Sequence, residues 1–238
     1  MKRVALILGL SAAPVAAEDM SFVDANILGI FYHELGHAVI DIEGVPIFAQ
    51  EEDAADVFST LMIDALWENE AAEALSFQAA NGFWAEAAWR EETGEAIEWS
   101  DVHSPDERRY FNTICLFYGA NPDERDDFAD DLGLPDARVE SCVEEFELAN
   151  ESWGPVIDDM IERGPGETLR FSGSSDTLIG RLVAEEVEAL NKEMSLAQPI
   201  DILLEHCGEA NAFYDPNAIS ITMCIEFEDH LIDIEDLL

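Results

Sequence analysis

One apolar stretch near the start of the chain constrains the fold more than any other feature. Residues 22–40 are mostly apolar and compatible with a helix, Asp41 closes the run, and the turn residues Gly44 and Pro46 follow. The sequence therefore predicts a helix over 22–40. Two histidines and a glutamate inside this run need a specific explanation.

The rest of the chain reads as a helical body followed by a mixed segment. Helical patterns begin at the acidic cluster around Glu52 and at a capping box that opens with Ser104, and Gly154 with Pro155 is expected to break or bend a later helix. We predict an α+β fold: a helical part over 18–163 and an α+β part over 164–238, whose strands form a small antiparallel sheet. The predicted elements after the turn at 164–166 are strands at 167–171, 199–204 and 218–227 and a helix at 175–194.

Charge limits the classes of partner. The chain has 53 Asp and Glu against 11 Lys and Arg, a formal net charge of -42, yet 48% of its residues are apolar, so it is expected to fold with an acidic surface. Nucleic acids and anionic membranes are bound through clusters of Lys and Arg, which are absent here. We therefore expect neither as a partner, whereas a basic peptide or protein would complement this charge.

The first residues resemble an export signal. Lys2 and Arg3 precede a short apolar run, and small residues lead to Ala17. This pattern is typical of a secretory signal peptide over 1–17, cleaved near Ala17, and the run is too short to span a bilayer. We expect an exported protein, periplasmic or secreted, without a membrane span and with one domain over 18–238.

Export decides how the four cysteines are interpreted. Exported compartments permit disulfides, and four cysteines allow three pairings. Pairing neighbours along the chain predicts the bonds Cys115–Cys142 and Cys207–Cys224, each worth roughly 3 to 4 kcal/mol on a chain-entropy estimate. Metal ligation by cysteine is the alternative, and no CxxC spacing supports it.

The predicted helix over 22–40 carries the motif HExxH as His33, Glu34 and His37. Histidines four residues apart lie about 40° apart around a helix, so both imidazoles reach one point. Two such nitrogens supply half of a tetrahedral zinc shell, and Glu34 lies beside them as a candidate base. A pair of buried, hydrogen-bonded histidines is the structural alternative.

A catalytic zinc needs a third protein ligand. Glu52 and Asp56 are also four residues apart at the start of the next predicted helix, so Glu52 is a candidate ligand and Asp56 a candidate acceptor for the outer N–H of a ligand histidine. The small residues Gly36, Ala54 and Ala55 would let the two helices approach closely. In so acidic a chain, a solvated helix start is the simpler alternative.

These residues resemble a known family. HELGHA followed by EDAAD resembles zincin metallopeptidases of the gluzincin type. Further stretches are similar to a narrower group of exported bacterial metallopeptidases. These stretches are 99–105, 109–112, 115–119 and 207–216.

The resemblance implies a zinc peptidase. Its metal ligands would be His33, His37 and Glu52, with Glu34 as the base and Asp56 as support for a ligand. In zincins, however, a sheet precedes the HExxH helix in the sequence. Here only a short segment lies between the expected cleavage site and that helix, so the sheet must come from elsewhere in the chain. We therefore predict that the C-terminal hairpin around 211–224 folds back beside residues 30–37 and supplies the sheet edge. A sheet packed on the opposite side of the helical body is the alternative.

Peptide hydrolysis also needs a donor for the oxyanion besides zinc. Tyr214 and His103 are candidates by chemical type, although residues of this kind more often have a purely structural role. We thus predict an exported zinc peptidase in which Glu34 takes a proton from a zinc-activated water and delivers it to the leaving amine. The rival prediction is an acidic binding protein that keeps the scaffold without turnover.

Overall fold

The computed structural model describes residues 20–48 and 50–238, so the expected signal peptide lies outside the described residues. The described chain is mainly helical with one small sheet, in agreement with the predicted α+β class. In chain order the elements are α1 (Phe22–Glu43), α2 (Glu51–Leu66), α3 (Asn69–Thr93), α4 (Asp106–Ala120), α5 (Asp126–Asp131), α6 (Asp136–Arg163), β1 (Leu169–Ser172), α7 (Leu178–Glu193), β2 (Ile200–Glu205), β3 (Ala212–Asp215), β4 (Ser220–Cys224) and α8 (Glu226–Glu235).

Helix α1 lies at the centre of the fold. The Ser21 side chain caps its start by accepting a hydrogen bond from the Asp24 N–H at 3.1 Å, and Gly44 ends it with a left-handed φ of 67° that suits glycine. It contacts α2, α3, α7, α8, β3 and β4. Its consecutive residues Phe31 and Tyr32 are both fully buried, which requires neighbours on several sides of the helix.

Helices α1 and α2 approach closely where the sequence predicts it. A Cβ atom placed on Gly36 would lie 3.0 Å from the Ala55 Cα and 3.1 Å from the Phe58 ring. Such distances are shorter than ordinary van der Waals contacts, so a side chain at this position would require α2 to shift. The predicted role of small residues is therefore confirmed for Gly36 and Ala55, and this contact brings the first turn of α2 beside the HExxH motif.

The sheet is mixed, so the prediction of an antiparallel sheet was wrong. Its order is β1-β2-β4-β3, with parallel pairs β1–β2 and β2–β4 and one antiparallel pair, β3–β4. Helix α7 connects β1 to β2 and returns the chain to the same end of the sheet, which makes those strands parallel. Only β3 and β4 are joined by a short turn, and β4 lies between β2 and β3.

The C-terminal hairpin packs beside the HExxH helix, as predicted. Both β3 and β4 contact α1, and Glu34 and His37 line a common cavity with residues 211–214. Because β3 is last in the strand order, it presents an edge of the sheet on this side. The hairpin therefore places a sheet edge beside α1, from a segment downstream of that helix in the chain.

Two local predictions differ from the structure. Pro105, not Ser104, precedes the first turn of α4, and no side chain caps that turn. Helix α6 continues through Gly154 and Pro155 without a break. The buried residues Trp153, Ile157 and Met160 recur at helical spacing on either side of Pro155, and their packing offsets the backbone hydrogen bond that proline removes.

Two cysteine pairs lie at disulfide distance. The sulfurs of Cys115 and Cys142 are 2.05 Å apart and connect α4 to α6. Those of Cys207 and Cys224 are 1.98 Å apart and connect β4 to the loop before β3. These are the pairs of neighbours along the chain. Among the described residues, no helix is long and apolar enough to cross a membrane.

The contact between α1 and α2 gives a test of the fold. We expect Gly36→Ala to be less stable than Gly29→Ala by about 1 kcal/mol or more, because the new methyl group collides with the α2 backbone. Gly29 is the matched control, since its Cβ would meet only the Ala79 Cβ at an ordinary 3.4 Å. Denaturant unfolding measures both, and equal stabilities would contradict the close approach.

Candidate metal centre

Three side-chain atoms of the predicted metal ligands converge between α1 and α2. His33 Nε2 lies 3.2 Å from His37 Nε2, and the Glu52 Oε2 atom lies 3.2 Å from the first nitrogen and 3.0 Å from the second. The two histidines project from adjacent turns of α1, and Glu52 comes from the first turn of α2. Both histidines are buried, with 3% and 8% of their surface exposed.

This donor set fits a small divalent cation. Zinc bonds of about 2.0–2.1 Å at tetrahedral angles place ligand atoms about 3.4 Å apart, close to the spacing of these three atoms. Two imidazole lone pairs and a carboxylate oxygen repel one another unless a positive charge, proton or metal, lies among them. The arrangement therefore fits a zinc-type site through His33, His37 and Glu52.

Asp56 and Arg109 support the first histidine. The His33 Nδ1 atom lies 2.7 Å from Asp56 Oδ1, and the Arg109 guanidinium donates to both oxygens of Asp56 at 2.8 Å. A carboxylate can only accept hydrogen bonds, so the ring proton belongs on Nδ1 and leaves the Nε2 lone pair for a metal. Arg109 is itself held over the Phe83 ring, 4.2 Å from its centroid.

Glu51 plays the same part for the second histidine. Its Oε1 atom lies 2.9 Å from His37 Nδ1. Both ligand histidines thus have a carboxylate on the outer nitrogen and an inner nitrogen facing Glu52. The arrangement fixes both ring tautomers for metal binding.

The electrostatics of the site favour a bound cation. Hydrogen bonds from His103, His33 and His37 hold the pKa of Glu52 far below its usual range. Burial would raise the pKa of Asp56, but the adjacent Arg109 outweighs burial and keeps that carboxyl ionised. Burial lowers the pKa of His37, yet the carboxylates of Glu52 and Glu51 overcome this effect and raise it to about 9.

Glu34 lies beside the three candidate ligands and differs from them in environment. Only 5% of its surface is exposed, and burial raises the pKa of its carboxyl above the usual value, while the neighbouring histidines oppose that rise. The backbone N–H of Tyr214 on β3 also lowers this pKa. A buried carboxylate with a raised pKa is suited to accept and release a proton.

His103 comes from the loop between α3 and α4 and reaches the same point. Its Nε2 atom lies 3.1 Å from Glu52 Oε2, and its Nδ1 atom lies 3.0 Å from Asp101. His33, Glu52 and His103 form a group whose ligand atoms lie within 4.8 Å of one another. The structure thus brings His103 to the candidate metal centre.

The other predicted oxyanion donor is placed differently. The Tyr214 hydroxyl donates to Asp41 Oδ2 at 2.7 Å, one helical turn beyond His37, and not to any candidate metal ligand. Burial and the bond to Asp41 raise the pKa of this hydroxyl. It is the backbone of Tyr214, through its N–H, that acts on Glu34.

The candidate metal centre lies between two cavities. One, of about 770 Å³, is lined by β3 and by the end of α1; the other, of about 480 Å³, is lined by α3, α8 and the loop before α4. Glu34, His103 and Ala212 line both. An extended molecule crossing the site could therefore occupy both cavities at once.

Sequence reasoning missed Glu51 and Arg109 as parts of the site. Glu51 gives no distinctive signal, because acids are common throughout the chain. Arg109 lies 53 residues from Asp56, so no local spacing connects them. The scarcity of bases, 11 in all, could have indicated it, since a carboxylate that must stay ionised when buried needs one of them.

The donor set of His33, His37 and Glu52 fits a metal-binding protein. A family model described as "Putative metallopeptidase" matches residues 11–157 and 174–235. The chain belongs to this family, whose description implies a metal ion and peptide substrates. No curated protein and no solved structure matches the chain.

Arg109 provides a test of the support behind His33. We expect Arg109→Gln to weaken metal binding by about 10- to 100-fold, because Asp56 then loses the cation that keeps it ionised and oriented. Arg109→Lys keeps the charge but not the bidentate hydrogen bonds, so its metal affinity should lie between those of the unmodified protein and Arg109→Gln. The exposed neighbour Arg108→Gln is the control, and isothermal titration of folded protein measures all three. Equal affinities for Arg109→Gln and Arg108→Gln would contradict the arrangement.

Metal affinity should depend on pH in a defined direction. The pKa of His37 in the metal-free protein is about 9, and a histidine must lose its second ring proton to bind a metal, so metal binding displaces a proton. We expect affinity to fall about tenfold per pH unit for each displaced proton as pH drops below about 9. Titrations in buffers of different ionisation enthalpy measure the proton release. Binding without proton release near neutral pH would contradict this account.

Proposed function

We propose that this protein is an exported zinc-dependent peptidase that uses Glu34 as its general base. One observation carries the proposal: His33 Nε2, His37 Nε2 and Glu52 Oε2 lie within 3.2 Å of one another, and a buried carboxylate with a raised pKa stands beside them. Signal-like residues at the start of the chain and two cysteine pairs at disulfide distance support export.

The three ligands would hold the ion and leave one position open. A zinc ion held there would supply a Lewis acid for the scissile carbonyl and would lower the pKa of the attacking water, so that this water is more readily deprotonated to a nucleophile. Glu34 takes the proton of the attacking water and passes it to the leaving amine. Burial assists this step, because Glu34 accepts a proton more readily than an exposed glutamate.

Strand β3 is suited to align an extended substrate. The Cys224 N–H donates to the Asn211 carbonyl at 3.0 Å. Because hydrogen-bonded positions alternate along an antiparallel pair, residues 211, 213 and 215 form hydrogen bonds with β4. The backbone N–H and C=O groups of Ala212 and Tyr214 therefore point away from β4. Those groups face the side on which Glu34 lies. A peptide added to this edge would be held by backbone hydrogen bonds across the candidate metal centre.

His103 is the better placed of the two candidate oxyanion donors. It reaches the candidate metal centre from a loop, and Glu52 and Asp101 raise the pKa of its imidazole, which favours the protonated, donating form. Tyr214 would have to release Asp41 before its hydroxyl could take part. We assign Tyr214 mainly to substrate alignment through its backbone.

The rival function is an acidic binding protein without turnover. The position of Glu34 favours the enzyme, because a binding site for metal alone has no use for a buried carboxylate beside its ligands. Glu34 is the fourth carboxylate at this site, after Glu51, Glu52 and Asp56. In a site that only binds a metal, Glu34 would add to the electrostatic cost of burial without a compensating role.

The general base can be tested separately from the metal. Glu34→Gln keeps the shape of the side chain, so we expect full zinc content and a loss of peptide hydrolysis of at least about a hundredfold. Elemental analysis and a mixed peptide library, with and without a chelator, measure the two quantities. Unchanged hydrolysis would show that Glu34 is not the base.

The third ligand has its own matched comparison. Glu52→Ala should lose zinc, whereas Asp53→Ala should retain it, because Asp53 makes no contact with either histidine ring nitrogen. Glu51→Ala should weaken binding less than Glu52→Ala, since Glu51 only orients His37. If Glu51→Ala lost more zinc than Glu52→Ala, the assignment of the third ligand would be wrong.

A further inference from the structure

The cavity of about 480 Å³ opens on the candidate metal centre, where His33 and Glu34 form part of its wall. A side chain next to the scissile bond would therefore enter it. Part of the wall is apolar, with Ile30, Phe83 and Leu231 among its residues. Apolar walls suit an aliphatic side chain or the aliphatic stem of a long charged one.

The remaining wall carries an excess of carboxylates. Arg109 is engaged by Asp56, and Arg90 by Asp106 and Glu107, so both guanidiniums in the wall are neutralised. Four further carboxylates have no arginine or lysine partner among the described residues. They are Glu86, Glu95, Glu98 and Asp101.

Within the described part of the chain, two of these carboxylates have a histidine as their one cationic neighbour. Glu86 lies 2.7 Å from His230 Nε2, and Asp101 lies 3.0 Å from His103 Nδ1. Ion pairs with either Glu95 or Glu98 are absent over the described ranges 20–48 and 50–238. The cavity wall thus presents negative charge that the described chain leaves without a full counterion.

A buried hydroxyl also points to a polar occupant. Ser76 lines the cavity with only 1% of its surface exposed, and its Oγ atom has no hydrogen-bond partner within the described part of the chain. A buried polar atom without a partner is costly, so a bound group that donates to it stabilises the complex. A purely apolar side chain would leave this oxygen unsatisfied.

We infer that this cavity binds a lysine or arginine side chain of the substrate, next to the scissile bond. The inference rests on the proposed function and names the substrate class: peptides and proteins with exposed basic residues. The aliphatic stem would pack on the apolar wall, and the cationic head would meet carboxylates and the free hydroxyl. The overall charge of -42 would also attract such substrates over distance.

Binding to a protein that does not turn over tests the inference without relying on hydrolysis. Zinc-loaded Glu34→Gln protein is titrated with blocked peptides Ala-Ala-Xaa-Ala-Ala, in which Xaa is lysine, norleucine or glutamate. Norleucine matches the stem of lysine without its charge. We expect the lysine peptide to bind at least about tenfold more tightly than the norleucine peptide, and the glutamate peptide most weakly.

A pair of double variants locates the effect. Adding Glu95→Gln with Glu98→Gln should remove most of the preference for lysine. Adding Glu91→Gln with Glu92→Gln removes the same charge from positions on α3 that are exposed like Glu95 and Glu98 but lie outside the cavity wall, and it should preserve the preference. An equal loss in both double variants, no preference for lysine, or no binding of any peptide would overturn the inference.

Hydrolysis by the unmodified enzyme separates this inference from the proposed function. If it cleaves all three peptides equally, the peptidase function stands and the preference for basic residues fails. If it cleaves none while the lysine preference in binding persists, the cavity inference stands and the peptidase function fails.

Discussion

The structure depends on the convergence of three electron-rich atoms between two helices. His33 Nε2, His37 Nε2 and Glu52 Oε2 lie at most 3.2 Å apart, an arrangement that needs a positive charge among these atoms, either a proton or a metal ion. The contact of Gly36 with Ala55 brings the helices close enough for Glu52 to reach the histidines. The hairpin of β3 and β4 packs on α1, and β3 forms part of the wall of the cavity of about 770 Å³.

The supporting residues explain how so acidic a chain keeps a buried carboxylate ionised. Arg109, one of only 11 Lys and Arg residues, donates hydrogen bonds to Asp56 and fixes its orientation. Asp56 in turn orients the His33 ring, because its Oδ1 atom lies 2.7 Å from His33 Nδ1. Without that cation, burial would favour the neutral acid, which could not fix the histidine tautomer in the same way. The guanidinium of Arg109 thus supplies the positive charge that keeps Asp56 ionised beside His33.

Local patterns predicted the parts of the structure that depend on local spacing. The i, i+4 pair His33 and His37 and the small residue Gly36 both follow from helical periodicity. The parallel strand pairs could not be derived, because their direction depends on where α7 returns the chain. The contact of Arg109 with Asp56 and the choice of Glu51 for His37 depend on how separate helices pack, which no short pattern encodes.

The most direct test of the account is anomalous diffraction at the zinc edge from crystals of the zinc-loaded protein. We expect one strong peak per chain, about 2.0–2.1 Å from His33 Nε2, His37 Nε2 and a Glu52 oxygen. Asp56 and Glu51 should remain on the outer nitrogens of the two histidines. A peak elsewhere, or a zinc ion bound without Glu52, would contradict the account.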